Sequence, residues 1–151
     1  MAKSIETEIE INGTATQVWE VLTDFERYPE WNPFILRIAG TLQTGSRLKA
    51  VVKTPNLSKI TIRPVLLKVN VGQELRWLGH WVFPKVFDGE HLFAIKRVGD
   101  SKVKFVQKEL FTGLLVPLFW GKMAGNIRLG FESMSQALKK RVESRFCRAT
   151  T

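Results

Sequence analysis

Cysteine is nearly absent: Cys147 stands alone. No disulfide can close within the chain, and a reducing compartment, the cytoplasm, is the expected setting. No apolar run approaches the roughly eighteen residues that a membrane-spanning helix needs. The opening MAKSIETEIEI is polar and alternating, which does not suit a signal peptide. HExxH, GxSxG, CxxC and GxxxxGK[ST] are all missing. His80 and His91 fall on neighbouring strands, and no further ligands converge on them, so neither a metal nor another cofactor is expected. Carboxylates are scarce, with 14 Asp and Glu against 23 Lys and Arg, a net charge of +9. That surplus suits an anionic partner. The cations are dispersed, however, and no nucleic-acid recognition motif accompanies them, so a solvated basic surface is the simpler reading. The densest group, Lys139, Lys140, Arg141, Arg145 and Arg148, lies at the tail.

The stretch 113–146 organises the rest. Ile127, Phe131, Met134, Leu138 and Val142 recur every three or four residues, the apolar stripe of an amphipathic helix. The spacing predicts a helix over about 115–145, roughly 45 Å long at 1.5 Å per residue. Almost everything before it reads as strand, so the stripe must be buried against a sheet.

Ile5, Ile9 and Ile11 alternate with Glu6, Glu8 and Glu10 in a first strand. Thr14 or Thr16 then caps a helix over 17–23. A second helical turn reaches Tyr28, and a corner follows. Six more strands are expected. The first is at 34–39, and Leu48, Ala50 and Val52 mark the second. The third is one long strand with Ile60, Ile62, Val65, Leu67 and Val69 apolar and a bulge at Arg63-Pro64. Leu75, Trp77, Gly79 and Trp81 share a face of the fourth, and His91, Phe93 and Ile95 a face of the fifth. Phe105, Gln107, Glu109 and Phe111 share a face of the last. The links are short, so the sheet is antiparallel. At 151 residues the chain is expected to form one domain.

The blocks INGTATQVWEVLTDFERYPEWNP, GTLQTGSRL, ELRWLG, GEHLFAI and KELFTGLLVPLF carry a resemblance to the helix-grip superfamily, also called START-like or SRPBCC. Within it the chain is similar to the polyketide cyclase/dehydratase and lipid-transport group. The resemblance covers about 5–142. It implies an α+β helix-grip fold of order β-α-α-β6-α, with a curved seven-stranded antiparallel sheet around the C-terminal helix. It also implies an apolar cavity between sheet and helix, closed at one end by the two short helices. Members bind lipids, polyketides or other apolar molecules, and some act on them.

The expected ligand is therefore a small apolar molecule, with a cyclase or dehydratase acting in the same cavity as the alternative. Trp31, Trp77, Trp81, Phe83, Phe93, Phe111, Phe119 and Phe131, with Met123 and Ile127, are the expected apolar lining. His91, Gln107 and Glu109 are the inward polar group, set to orient a polar handle. Among them Glu109 and His91 are the candidates for moving a proton. Gly121, Gly125 and Gly130 cost the helix about 1 kcal/mol each relative to alanine, so they must allow close packing or leave space. Residues 114–120 form an apolar run broken only by Pro117. Most of it is expected to tuck under the strand ends, with Phe119 and Trp120 as a gate. A peripheral membrane contact there is the other reading, helped by Lys122.

Overall fold

The computed structural model describes residues 2–80 and 83–146. Among these, eight strands and three α-helices follow in the order β1 (Lys3–Asn12), α1 (Ala15–Thr23), α2 (Tyr28–Trp31), β2 (Ile35–Ala39), β3 (Lys49–Val52), β4 (Ile60–Ile62), β5 (Val65–Asn70), β6 (Glu74–His80), β7 (Asp88–Gly99), β8 (Lys102–Thr112) and α3 (Val116–Phe146). A 3₁₀ turn at Phe25–Arg27 separates the first two helices. α1 starts on a capping box: Thr14 accepts from the Gln17 amide, and Gln17 reaches back to the Thr14 amide.

The strands make two antiparallel sheets, one of five in the order β1-β8-β7-β6-β5 and one of three in the order β2-β3-β4. This corrects the expectation of a single seven-stranded sheet. The segment expected as one bulged strand is cut at Arg63-Pro64 into β4, which pairs with β3, and β5, which pairs with β6. Proline has no amide hydrogen to donate, so the ladder stops there and the chain changes sheet. The sheets still touch at this corner, where Leu48 N donates to Pro64 O at 2.8 Å and Leu66 N to Ser46 O at 2.9 Å. The facing of β5 is also corrected. Leu66 is 1% exposed and Leu67 42%, the reverse of the expected alternation. A register shift between Leu66 and Lys68 absorbs the slip and returns Val69 to the core side.

α3 packs along β1 and β8, and its whole stripe of Ile127, Phe131, Met134, Leu138 and Val142 is buried. Each such side chain contributes roughly 1.5–3 kcal/mol through burial. Two contacts fix the helix closely. Gly130 brings the backbone onto the ring of Phe34, which a Cβ would meet at 2.5 Å. Gln107 of β8 donates to Phe131 O at 2.9 Å and to Ser135 Oγ at 2.8 Å.

The charge is less evenly spread than the cations alone suggest. Between Glu30 and Glu74 the chain has no carboxylate and seven cations: Arg37, Arg47, Lys49, Lys53, Lys59, Arg63 and Lys68. This stretch builds the small sheet. Glu6, Glu8 and Glu10 all lie on β1, at the far edge of the large sheet.

Candidate functional site

Both sheets and the first half of α3 frame a cavity of about 360 Å³. Phe34, Ile35 and Val52 supply the wall from β2, β3 and the approach to them. Thr54, Leu57 and Ser58 come from the β3–β4 loop, and Ile60 and Ile62 from β4. Trp77 and Gly79 of β6, Phe87, Gly89 and His91, and Glu109 and Phe111 of β8 form the floor, with His80 at the rim. Phe119, Lys122, Met123 and Ile127 close it from α3. The surface is mostly apolar, as small-molecule sites usually are.

The β3–β4 loop is held in shape. Lys53 Nζ donates to Thr54 O at 3.3 Å and also to Leu57 O. Asn56 takes a left-handed conformation, φ 64°, which asparagine tolerates better than most residues. Its amide donates to Asn126 Oδ1 on α3 at 3.0 Å, joining the two walls.

One polar pair lies on the floor. Register places His91 opposite Trp77 on one side and Glu109 on the other. His91 Nδ1 is 3.4 Å from Glu109 Oε2, looser than a good hydrogen bond. The imidazole is buried among the rings of Phe93 at 4.2 Å, Phe131 at 4.9 Å and Trp77 at 5.5 Å. Its Nε2 has no partner among the described residues. A proton on Nδ1 is the arrangement that best suits the facing carboxylate. Glu109 keeps 18% of its side chain exposed, so its oxygens remain open to a donor in the cavity. A second imidazole–carboxylate pair stands at the rim: His80 Nδ1 lies 2.7 Å from Asp88 Oδ1, and Asp88 accepts from the Lys85 amide.

Of the residues expected to line the site, Trp77, His91, Glu109, Phe111, Phe119, Met123 and Ile127 meet at the cavity. Phe93, Gln107 and Phe131 do not. They are fully buried in the core, where Gln107 serves the helix rather than a ligand. Trp31 is half-buried against Tyr28, its ring 5.1 Å away, and Phe83 is 66% exposed. Trp81 lies outside the described residues. In the 114–120 run, Val116 is buried and Trp120 packs on Phe111 at 5.5 Å. Leu114 and Leu118 are not tucked under the strands; they are exposed, because the 83–87 turn covers only one side of the helix start. Residues 52–62 were missed as lining, although Val52, Ile60 and Ile62 alternate as a half-buried strand pair does.

A long C-terminal helix packed on an antiparallel sheet, with short helices after the first strand, defines a START-like helix-grip protein. The chain belongs to the polyketide cyclase / dehydrase and lipid transport family, whose profile matches residues 2–143. Among curated proteins, none gives a significant match. Solved structures agree on the fold. A START superfamily protein from Mycobacterium smegmatis superposes with a TM-score of 0.72 at 21% identity, covering 94% of this chain and 98% of the other. The Zhui aromatase/cyclase from Streptomyces sp. R1128 gives 0.75 at 14% identity, covering 96% of each chain. A norcoclaurine synthase point mutant from Thalictrum flavum, solved with a transition-state analogue, gives 0.74 at 13% identity, again covering 96% of each chain. Likeness at these identities is likeness of fold. Among the described residues no helix is long and apolar enough to cross a membrane, and no cluster of three metal-ligating side chains occurs.

Proposed function

We propose that the chain binds one small hydrophobic molecule in the cavity between its sheets and α3. The observation that carries this reading is the apolar space of about 360 Å³ with a single polar pair on its floor. A carboxylate largely withdrawn from water and only loosely matched by His91 favours a ligand whose apolar body ends in a hydrogen-bond donor. The family and the aromatase/cyclase neighbour support an apolar or polyketide-like molecule. Native mass spectrometry of the purified protein tests the reading directly. The expected result is extra mass released by organic solvent, together with saturable fluorescence of anilinonaphthalene sulfonate that Val52→Trp abolishes by filling the cavity. Dye binding untouched by Val52→Trp would sink it.

A second reading, chemistry in the same cavity, is favoured by the His91–Glu109 pair. An imidazole 3.4 Å from a carboxylate can hold a proton and pass it to a substrate bound above Glu109. In that case Glu109→Gln keeps its ligand, and the retained molecule differs from the one released by the wild type. Under binding alone the same variant loses affinity and the retained molecule is unchanged.

A further inference from the structure

Three apolar side chains stand exposed on the two segments that carry the cavity-lining residues Phe87, Phe119 and Lys122. Leu114 is 85% exposed, Leu118 73% and Phe83 66%. The backbone sets them side by side: Leu114 N donates to Lys85 O at 3.2 Å and Leu115 N to Val86 O at 3.0 Å, which laces the 83–87 turn to the start of α3. Leu118 and Lys122 are one helical turn apart and share a side of α3. Lys122 also lines the cavity, so this apolar edge is continuous with the opening. One exposed leucine is ordinary, but a group of them on the lip of an apolar cavity marks an interaction site.

The exposed charges around this edge are mainly positive; Asp88, at the end of the turn, keeps only 14% of its side chain exposed and is engaged by His80 and the Lys85 amide. Residues 81–87 carry Lys85 and no carboxylate, and residues 110–131 carry Lys122 and Arg128 and no carboxylate. The loop opposite belongs to the acid-free stretch and presents exposed Lys59. Leucine and phenylalanine ringed by lysine match the interface of an anionic bilayer. There apolar groups dip below the headgroups while ammonium groups stay at phosphate depth. A second copy of this chain fits less well. A two-fold contact through the same patch would bring Lys85 and Lys122 up against copies of themselves. Nucleic acid would engage the cations and leave the leucines wet.

We propose that the edge formed by Phe83, Leu114 and Leu118, with Lys59, Lys85 and Lys122, is a docking surface for an anionic lipid bilayer. The docking holds whatever molecule the cavity takes. It also presents the opening to the membrane, so an apolar molecule can pass between bilayer and cavity without crossing bulk water.

Vesicle flotation of the full chain tests this, using phosphatidylcholine alone and phosphatidylcholine with about 30 mole per cent phosphatidylserine. The wild type is expected to float with the anionic vesicles at low salt, at least tenfold more weakly with the neutral ones, and less as salt rises. Lys85→Glu and Lys122→Glu should each lower partitioning about fivefold or more. Leu118→Ser should lower it about tenfold, because a leucine no longer leaves water. These side chains are exposed, so circular dichroism should be unchanged. Lys96→Glu, some 25 Å away along β7 at about 3.4 Å per residue, carries the same change in net charge and should matter little. The proposal is overturned by absence of flotation at low salt, by Leu118→Ser floating like the wild type, or by Lys96→Glu costing as much as Lys122→Glu. A dimer that Leu118→Ser dissolves would overturn it too, assigning the edge to self-association.

Discussion

Gly89 and Glu109 occupy one space. They lie diagonally across β7 and β8, Gly89 opposite Phe111 and His91 opposite Glu109. A Cβ on Gly89 would sit closer to Glu109 Oε1 than any real Cβ contact allows. Its backbone is ordinary strand, so glycine is needed here for room. The vacancy lets the carboxylate fold back over the sheet, beside His91 and facing the cavity.

Gly89→Ala should therefore displace Glu109 without unfolding the protein. Alanine gains roughly 0.5–1 kcal/mol over glycine in a strand, and the clash is with the end of a flexible side chain, so the two effects largely cancel. The melting temperature should move by less than about 5 °C. Ligand retention, read by native mass spectrometry, should fall at least as far as in Glu109→Gln. Retention equal to the wild type would show that the position of the carboxylate is immaterial to binding.

The helix glycines separate into two kinds. Gly121 and Gly125 have nothing within 4 Å of a built Cβ, whereas Gly130 would drive one into Phe34. Phe34 is pinned edge-on against Phe131, with ring centroids 5.6 Å apart, and also lines the cavity. Gly125→Ala should stabilise the protein by about 0.5–1 kcal/mol, the helix-propensity gain. Gly130→Ala should destabilise it by about 1–3 kcal/mol as overpacking outweighs that gain, and should weaken dye binding by pushing Phe34 toward the cavity. Chemical denaturation of the two variants side by side decides the point. Equal stabilisation by both would refute the close approach at Gly130.

These contacts show where sequence patterning reaches its limit. The stripe from Ile127 to Val142, a threonine cap at 14 or 16, which the structure places at Thr14, and the common face of Phe105, Gln107, Glu109 and Phe111 all follow from period and local hydrogen bonding, and all are present. Period gives facing but not depth. Phe93 and Phe131 face inward as expected, yet they fill the core behind the cavity, because large rings pack where helix and sheet are closest. The partner of Gln107 is backbone on a helix 24 residues away, which no local pattern encodes. Pro64 is visible in the sequence as a disturbance. Whether a proline bulges one strand or sends the chain into another sheet depends on the neighbours available to pair, here β3 on one side and β6 on the other.

Glu143 joins the last turns of α3 to the end of β1. Burial pushes its carboxyl up, but hydrogen bonds from Lys139 and from Asn12 outweigh this and hold it below the usual glutamate value of 4.5. A carboxylate depressed in the fold adds stability above its unfolded value, and that contribution disappears as pH falls through the folded one. The stability gap between wild type and Glu143→Gln should thus be full at neutral pH and close progressively below about pH 4.5. Urea denaturation at several pH values measures it. A gap that does not change with pH would mean the link acts by packing alone.

Tyr28 supplies the sharpest check on the packing beneath the short helices, because it is the one tyrosine in the sequence. Its ring is fully buried, edge-on to Phe25 at 5.7 Å and Trp31 at 5.1 Å, and its hydroxyl donates to Leu22 O at 2.5 Å. Burial pushes the phenol far above its ordinary value of 10.0. The folded state keeps the proton while the unfolded chain releases it near that value, so the unfolded state gains as pH rises beyond it. Stability linked to Tyr28 is then complete below about pH 10 and declines above it. In an alkaline titration, tyrosinate absorbance should appear only together with loss of the helical circular dichroism. Tyr28→Phe, which leaves Leu22 O unpaired, should cost about 1–3 kcal/mol at neutral pH and remove the Tyr28 share of the alkaline decline. Tyrosinate appearing near pH 10 with the circular dichroism intact would place the phenol in contact with water and contradict the buried hydroxyl.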